Sequence, residues 1–172
     1  MILERHKYQK TDNGWEVFKA WVLEYQAYEY TPENVDMLCE KIRENLTTDL
    51  LSRQYKEDNV TNPLFGHCYH STQALYYFLN CDILVPMSGE DELGNIHWWL
   101  QDGEAIIDVT GKQYDKIDCD PPYKVGKPSK WYGWKERPHK RSMTLMKRVQ
   151  PKARLYCTNP KGGTLENFLT YD

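Results

Sequence analysis

Three residues set the chemistry this sequence can do. Cys68 follows Gly66–His67 and opens an apolar stretch, Cys68–Asn80. His97 lies in the run Asn95–Gln101 and Asp108 in the run Glu104–Thr110, with Asp102–Gly103 between them. A cysteine attacks as its thiolate, yet a free thiol is mostly protonated near neutrality. An imidazole beside it takes the proton and later delivers it to the leaving group. A carboxylate on the other ring nitrogen fixes the tautomer and the orientation of the ring. A helix starting at Cys68 adds its dipole and free N–H groups, and the Cys68 N–H serves as one donor of an oxyanion hole. Gln54, Asn62 and His67 precede the nucleophile and are the candidates for the second donor.

The histidine and the acid are joined by a count. Asp-Gly between apolar runs signals a two-residue hairpin of the I′ type. With Asp102–Gly103 as the loop, Gln101 faces Glu104, Leu100 faces Ala105, Trp99 faces Ile106, Trp98 faces Ile107 and His97 faces Asp108. Directly opposed Cβ atoms lie about 4.5–5.5 Å apart, within reach of an imidazole–carboxylate bond. A bulge or a longer loop breaks this register. Taken alone, Cys68 shares a helix face with Thr72, Leu75 and Leu79 and reads as an inert core thiol. A single histidine on an apolar strand reads as a satisfied core residue. The combination of the three favours a nucleophile, a base and an orienter.

The elements that must position them follow from periodicity and punctuation. Trp15, Phe18, Val22 and Tyr25 keep helical spacing after the turn signal Asp12–Asn13–Gly14. Thr31–Pro32–Glu33 starts a helix with a hydroxyl cap and a proline at its first position, and Val35, Leu38, Ile42 and Leu46 form its apolar face. Thr48–Asp49 restarts a short helix through Tyr55. Asn59–Phe65 is a loop, Cys68–Asn80 the helix of the nucleophile, and Ile83–Val85 a strand stopped by Pro86. Ser88–Gly94 is an acidic loop. Lys112–Tyr132 is mostly loop, Arg141–Val149 a helix, Ala153–Cys157 a last strand and Asn159–Gly163 a turn. Helices followed by a helix and several strands give an α+β class. The expected organisation is a single domain: a helical part (1–60), a catalytic core (61–122), a basic aromatic-rich arm (123–154) and a C-terminal strand and tail (155–172).

Composition narrows the partners. Five cysteines at uneven spacing, with no C-x-x-C pair, argue against a disulfide framework and for a reducing cytoplasm. Met1–Lys10 is polar and charged, so no leader is expected, and no apolar run reaches spanning length. Zinc on Cys68, His70 and His97 is the metal alternative. Helical residues two apart point to different sides, and Asp118–Cys119–Asp120 reads as a loop, so neither metal nor cofactor is expected. Tyr123–Arg154 holds seven Lys and four Arg against the single acid Glu136. Lys130, Lys135, Arg137, Lys140 and Arg141 interleave there with Trp131, Tyr132 and Trp134. Cations with stacking rings suit nucleic acid or an acidic protein, and the commonest role of such a run is a solvated face. Trp98, Trp99, Trp131, Tyr132 and Trp134 are the candidate substrate-binding aromatics.

A cysteine opening a helix, then His97–Trp98–Trp99 on one strand and Asp108–Val109–Thr110 on the next, resembles the core of transglutaminase-like enzymes of the papain-like superfamily. The resemblance implies a nucleophile-bearing helix packed on a small antiparallel sheet that carries the base and the acid. It implies acyl transfer at an amide or isopeptide bond through a thioester, as hydrolase, deamidase or amine transferase. The helical start, the basic arm and the tail lie outside it. Gly66–His67–Cys68–Tyr69 with the downstream His-Trp and Asp-x-Thr is also similar to small proteins carried by tailed bacteriophages, which implies synthesis in a host cytoplasm. The competing expectation is a non-catalytic protein that binds nucleic acid or a host protein through the basic aromatic arm.

Overall fold

The turn at Asp12–Asn13 opens the chain as a hairpin. In the computed structural model, which describes residues 1–132, 138–159 and the backbone of 164–165, strand β1 (Ile2–Thr11) pairs antiparallel with β2 (Gly14–Glu24). Gly14 takes a φ of +109°, and the Thr11 hydroxyl accepts from the Asn13 N–H. The helix expected over Trp15–Tyr25 is therefore replaced by a strand. A register shift between Lys7 and Tyr8 leaves Phe18 unpaired between Val17 and Lys19. This bulge moves the phase of the apolar residues by one, so a period of two mimics three-and-four spacing. Trp15 and Phe18 are exposed, in the part of β2 that extends beyond β7 and pairs with β1 alone.

Helix α1 (Pro32–Glu44) forms where its signals stand. Thr31 Oγ1 accepts from the Asn34 N–H at 3.2 Å, and Leu38 and Ile42 are fully buried. Two 3-10 turns, Thr48–Leu50 and Arg53–Tyr55, lead into a single α-turn, α2 (Lys56–Asn59). Helix α3 (Cys68–Leu79) ends on Asn80 in the left-handed conformation. Strand β3 (Val85–Glu90) runs through Pro86 instead of stopping there. The Pro86 carbonyl accepts from the Ser129 N–H, so its imide nitrogen also faces that edge and costs β3 no bond to its other neighbour.

Strands β4 (Ile96–Asp102), β5 (Ala105–Ile107) and β6 (Lys127–Pro128) complete an antiparallel sheet in the order β5-β4-β3-β6. Helix α4 (Lys140–Val149) precedes β7 (Arg154–Thr158), which joins β1, β2 and β8 (Thr164–Leu165) in a second antiparallel sheet ordered β1-β2-β7-β8. The architecture is mixed α+β with two antiparallel sheets. Helix α3 packs on β4, and α4 packs on α3 and on β2 and β7. One apolar core runs through these layers, from Leu23 through Leu38, Leu75 and Phe78 to Leu100 and Met146. Each such fully buried side chain contributes about 1.5–3 kcal/mol.

The basic segment 123–154 supplies β6 and α4 and ends at the first residue of β7, and part of its charge is used internally. Arg148 pairs with Asp49 at 2.6 Å, and Lys147 Nζ donates to the carbonyls of Pro151 and Ala153. Lys140 lies over the Trp21 ring at 5.3 Å. Lys135, Arg137, Trp134 and most of the expected turn at Asn159–Gly163 lie outside the described residues. Among the described residues, no helix is long and apolar enough to cross a membrane.

Candidate active site

Gly66 delivers the chain to α3. Its φ is +83°, and a Cβ there would stand 2.7 Å from the Tyr55 Cβ. Neither a side chain nor an ordinary backbone angle fits. Gly66→Ala is expected to lower unfolding stability by about 3 kcal/mol, from strain at positive φ plus overpacking; denaturant titration against the parent reads this directly, and a change within 1 kcal/mol refutes it.

His67 caps α3 by position but not with its side chain, and the first helical bond is Ser71 N–H to the His67 carbonyl. The N–H groups of Cys68, Tyr69 and His70 thus have no intrahelical acceptor. Helix and strand run in step: Cys68 Sγ lies 3.6 Å from the Ile96 carbonyl oxygen, and Thr72 Oγ1 donates to the Trp98 carbonyl at 3.1 Å. Four helical residues advance about 6 Å and two strand residues about 6.7 Å, so the two contacts can repeat.

His97 and Asp108 meet, but not by the expected register. The hairpin pairs Asp102 with Ala105, Gln101 with Ile106 and Leu100 with Ile107. Its loop is Gly103–Glu104, with Gly103 first and at φ +56°. Asp102 stays in the strand, where its carboxylate accepts from Tyr30 OH at 3.1 Å. The slip is two residues, which leaves every side chain on its original face. β5 ends at Ile107, and Asp108 reaches His97 diagonally. His97 Nε2 lies 2.6 Å from Asp108 Oδ2.

Both partners are held from several sides. Asp108 Oδ2 also accepts from Tyr123 OH at 2.7 Å, and Oδ1 accepts from the Thr110 N–H at 2.9 Å. The His97 ring is 1% exposed, stacked on Trp99 at 6.0 Å and met edge-on by Tyr114 at 5.1 Å. Tyr114 is fixed by its hydroxyl bond to buried Asp91, whose Oδ1 accepts the N–H groups of Leu93 and Asn95. Burial pulls the His97 pKa down; the bond to Asp108, then that to Cys68, and the charges of both outweigh it and lift it to about 9. Burial and the carboxylates of Asp108 and Asp91 push Tyr123 and Tyr114 upward, so both stay neutral donors.

The second ring nitrogen has its own partner. Gln113 Nε2 sits 3.0 Å from His97 Nδ1 and 3.2 Å from Thr110 Oγ1. The Gln113 carbonyl in turn accepts from Asn62 Nδ2 at 3.0 Å. Asn62 is therefore a strut behind Gln113 and does not line the cavity. His67 is set back from it as well. It is fully buried, both ring nitrogens lack a partner, and it does not line the cavity; burial holds its pKa down at about 4. Gln54 remains, lining with Cys68 and His97 a cavity of about 380 Å³.

The aromatic candidates divide. Trp98 lines the cavity and stacks on Trp131 at 5.4 Å, while Trp131 is buried behind it. Trp99 backs His97 from outside the cavity. Tyr132 lines the cavity, stacked on Tyr69 at 5.0 Å. Arg141 reaches the wall, whereas Lys130 and Lys140 do not. Among the described residues no three His, Cys, Asp or Glu side chains group to hold a metal. His97 Nε2 is held by Asp108, and His70 Nδ1 is bonded to Ser142 Oγ at 3.1 Å.

Sequence reasoning missed Gln113, Tyr114, Tyr123 and Asp91. One signal was present: Gly111 follows Asp108–Val109–Thr110, and a Cβ there would meet Asp108 Oδ2 and Tyr123 OH, each at 3.1 Å. A glycine at that point lets the following turn, Gly111–Lys116, fold back onto the carboxylate. Compared with family models, curated proteins and solved structures, the chain matches none.

Proposed function

We propose that the chain is a cysteine-dependent acyl-transfer enzyme acting on an amide or isopeptide bond, built on a papain-like or transglutaminase-like core. The observation that carries this reading is the His97 Nε2–Asp108 Oδ2 contact of 2.6 Å beside a cavity that also exposes Cys68. Asp108 takes Nε2, so Nδ1 is the working nitrogen once the Gln113 amide, 3.0 Å away, yields it to Cys68. The Cys68 thiolate attacks the amide carbon and the carbonyl π pair moves to oxygen. The Cys68 N–H and the Gln54 amide receive that oxyanion. As the C–N bond breaks, protonated His97 gives its Nδ1 proton to the departing amine, leaving a thioester. Water, or a second amine, then attacks with His97 as base, and the thiolate departs. The phage resemblance extends the proposal to an enzyme made in an infected host's cytoplasm.

Native alkylation tests it sharply, because exposure alone predicts the opposite order. Cys68 is only 7% exposed, whereas Cys81 and Cys119 are half-buried. Burial raises the thiol pKa of Cys39 to about 11 and pushes up Cys119 and Cys157. Iodoacetamide at pH 7 should modify Cys68 at least tenfold faster than any other cysteine, read by peptide mass spectrometry after short exposures. Labelling of Cys81 ahead of Cys68 overturns the proposal.

A further inference from the structure

One part of the cavity wall has no place in the acyl-transfer steps. Ser52, His70, His139 and Arg141 line it together with Gln54 and Tyr55. The two imidazoles face each other at 4.6 Å. His139 Nδ1 accepts from the Arg141 N–H at 3.1 Å, which places the proton of the neutral ring on Nε2. Arg141 Nη1 donates to Ser52 Oγ at 3.0 Å and ties α4 to the turn before α2. Its remaining guanidinium N–H groups make no bond to a described residue. Among the described lining residues there is no carboxylate, so Arg141 is the one permanently charged side chain there beside the Cys68–His97 pair.

The wall thus offers donors: a guanidinium fork and the Nε2–H of His139. Both residues are half-buried, so these donors face the cavity, where an anionic acceptor would gain charge-assisted hydrogen bonds. A half-buried arginine solvated by cavity water is the plainer account, but it leaves unexplained why a guanidinium is set into a mostly apolar wall that carries no carboxylate to pair with it. One formal positive charge balances one negative charge. A phosphate, at about −1.5 to −2, would leave charge uncompensated in a partly enclosed site.

We infer that this wall is a carboxylate subsite, and that the substrate of the Cys68 site carries a carboxylate close to the amide attacked. Substrate assignment rests on the proposed acyl-transfer reading; carboxylate binding does not. A compact space of this volume is roughly 7 Å across and takes about two extended residues at 3.3 Å each. The carboxylate therefore belongs to the residue carrying the reacting carbonyl or to its neighbour, as an acidic side chain or as a free C-terminus.

The test uses the full chain with Cys68→Ala, so that nothing turns over. Calorimetry at pH 7 and low salt compares N-acetyl-Ala-Glu-amide, its isostere N-acetyl-Ala-Gln-amide, and N-acetyl-Ala-Ala with a free C-terminus. The Glu peptide or the free-acid peptide should bind about ten- to a hundredfold more tightly than the Gln peptide, and which of them does names the source of the carboxylate. Adding Arg141→Gln should abolish that preference, bringing the acidic and Gln peptides to equal affinity for that variant. Arg141→Lys, which keeps the charge and loses the fork, should retain part of it, and this variant decides if Arg141→Gln unfolds. Equal affinity for the acidic and neutral peptides, no binding of any acidic peptide at millimolar concentration, or a preference indifferent to both Arg141 variants overturns the subsite. Preferential alkylation of Cys81 in the wild-type chain, with the acidic preference intact, would remove the enzyme and leave the subsite.

Discussion

Asp108→Asn should lower turnover by about three to four orders of magnitude while the protein stays folded. The reason is a count of donors. Asp108 Oδ2 accepts from His97 Nε2 and Tyr123 OH, and Oδ1 from the Thr110 N–H. An asparagine has one oxygen. If that oxygen faces His97, the NH₂ group meets the Thr110 N–H, donor against donor. If it faces Thr110, the NH₂ group confronts His97 Nε2, which must then give up its proton and leave it on Nδ1. A ring protonated on Nδ1 in its neutral form cannot take the proton of Cys68. Loss of the carboxylate charge also removes support for the imidazolium, so the His97 pKa should fall from about 9 toward 6.5. The rate of Cys68 alkylation against pH and the His97 Cε1–H shift against pH measure the two effects independently. Turnover within tenfold of the parent, or an unmoved His97 titration, would show that Asp108 does not act on the ring as argued.

The fold should weaken steeply between pH 6.5 and 4. His67 is buried with no partner on either ring nitrogen, and burial lowers its pKa to about 4 even though Asp49 pulls it upward. The unfolded chain binds its proton near 6.5. Below that value the unfolded state holds more protons, so stability falls with pH until the folded pKa is reached. For His67 this is about 3 kcal/mol, as one pKa unit is about 1.4 kcal/mol. His70 and His139 are lowered by burial and act in the same direction. Against a typical total of about 5–15 kcal/mol, the sum is enough to unfold the protein in mild acid. His97 works in the opposite sense. Its raised pKa stabilises the fold fully below 6.5, and that contribution, again about 3 kcal/mol, is lost as pH rises to about 9. Stability should therefore peak near pH 6.5. Urea titrations at pH 4.5, 6.5 and 9 measure it, and His67→Leu should flatten the acid side; a flat profile, or an acid limb untouched by that substitution, counts against the account.

The juxtaposition of His97 with Asp108 was readable from sequence, though the count behind it was not. The Asp-Gly signal located the hairpin, but Gly103 leads the turn and the ladder slips by two. Face parity survived because side chains alternate with a period of two. Helix α1 was legible because cap, proline and apolar face agree there, and α3 and α4 from their apolar residues. The hairpin of β1 and β2 was not, since one bulged residue at Phe18 turned strand spacing into apparent helix spacing. Gln113, Tyr114 and Tyr123 were hidden for a different reason: they come from short 3-10 turns and loops, which have no period to read. Gln54, Asn62 and His67 were indistinguishable by type, and only burial and the cavity wall separate them.

The two sheets differ in how far the chain must travel to close them. β3, β4 and β5 follow one another directly, so the half of the molecule holding Cys68, His97 and Asp108 is built from near neighbours in sequence. The other sheet joins β2 to β7, and the Tyr156 OH to Glu24 bond spans 132 residues. Local contacts form early and distant ones must first meet the entropy of loop closure. The order of folding then has a chemical meaning. The thiol, the imidazole and its carboxylate can assemble first, while Arg141 arrives on α4, the helix that leads into β7. A chain halted before that last closure would carry an assembled nucleophile without the wall that selects what it attacks.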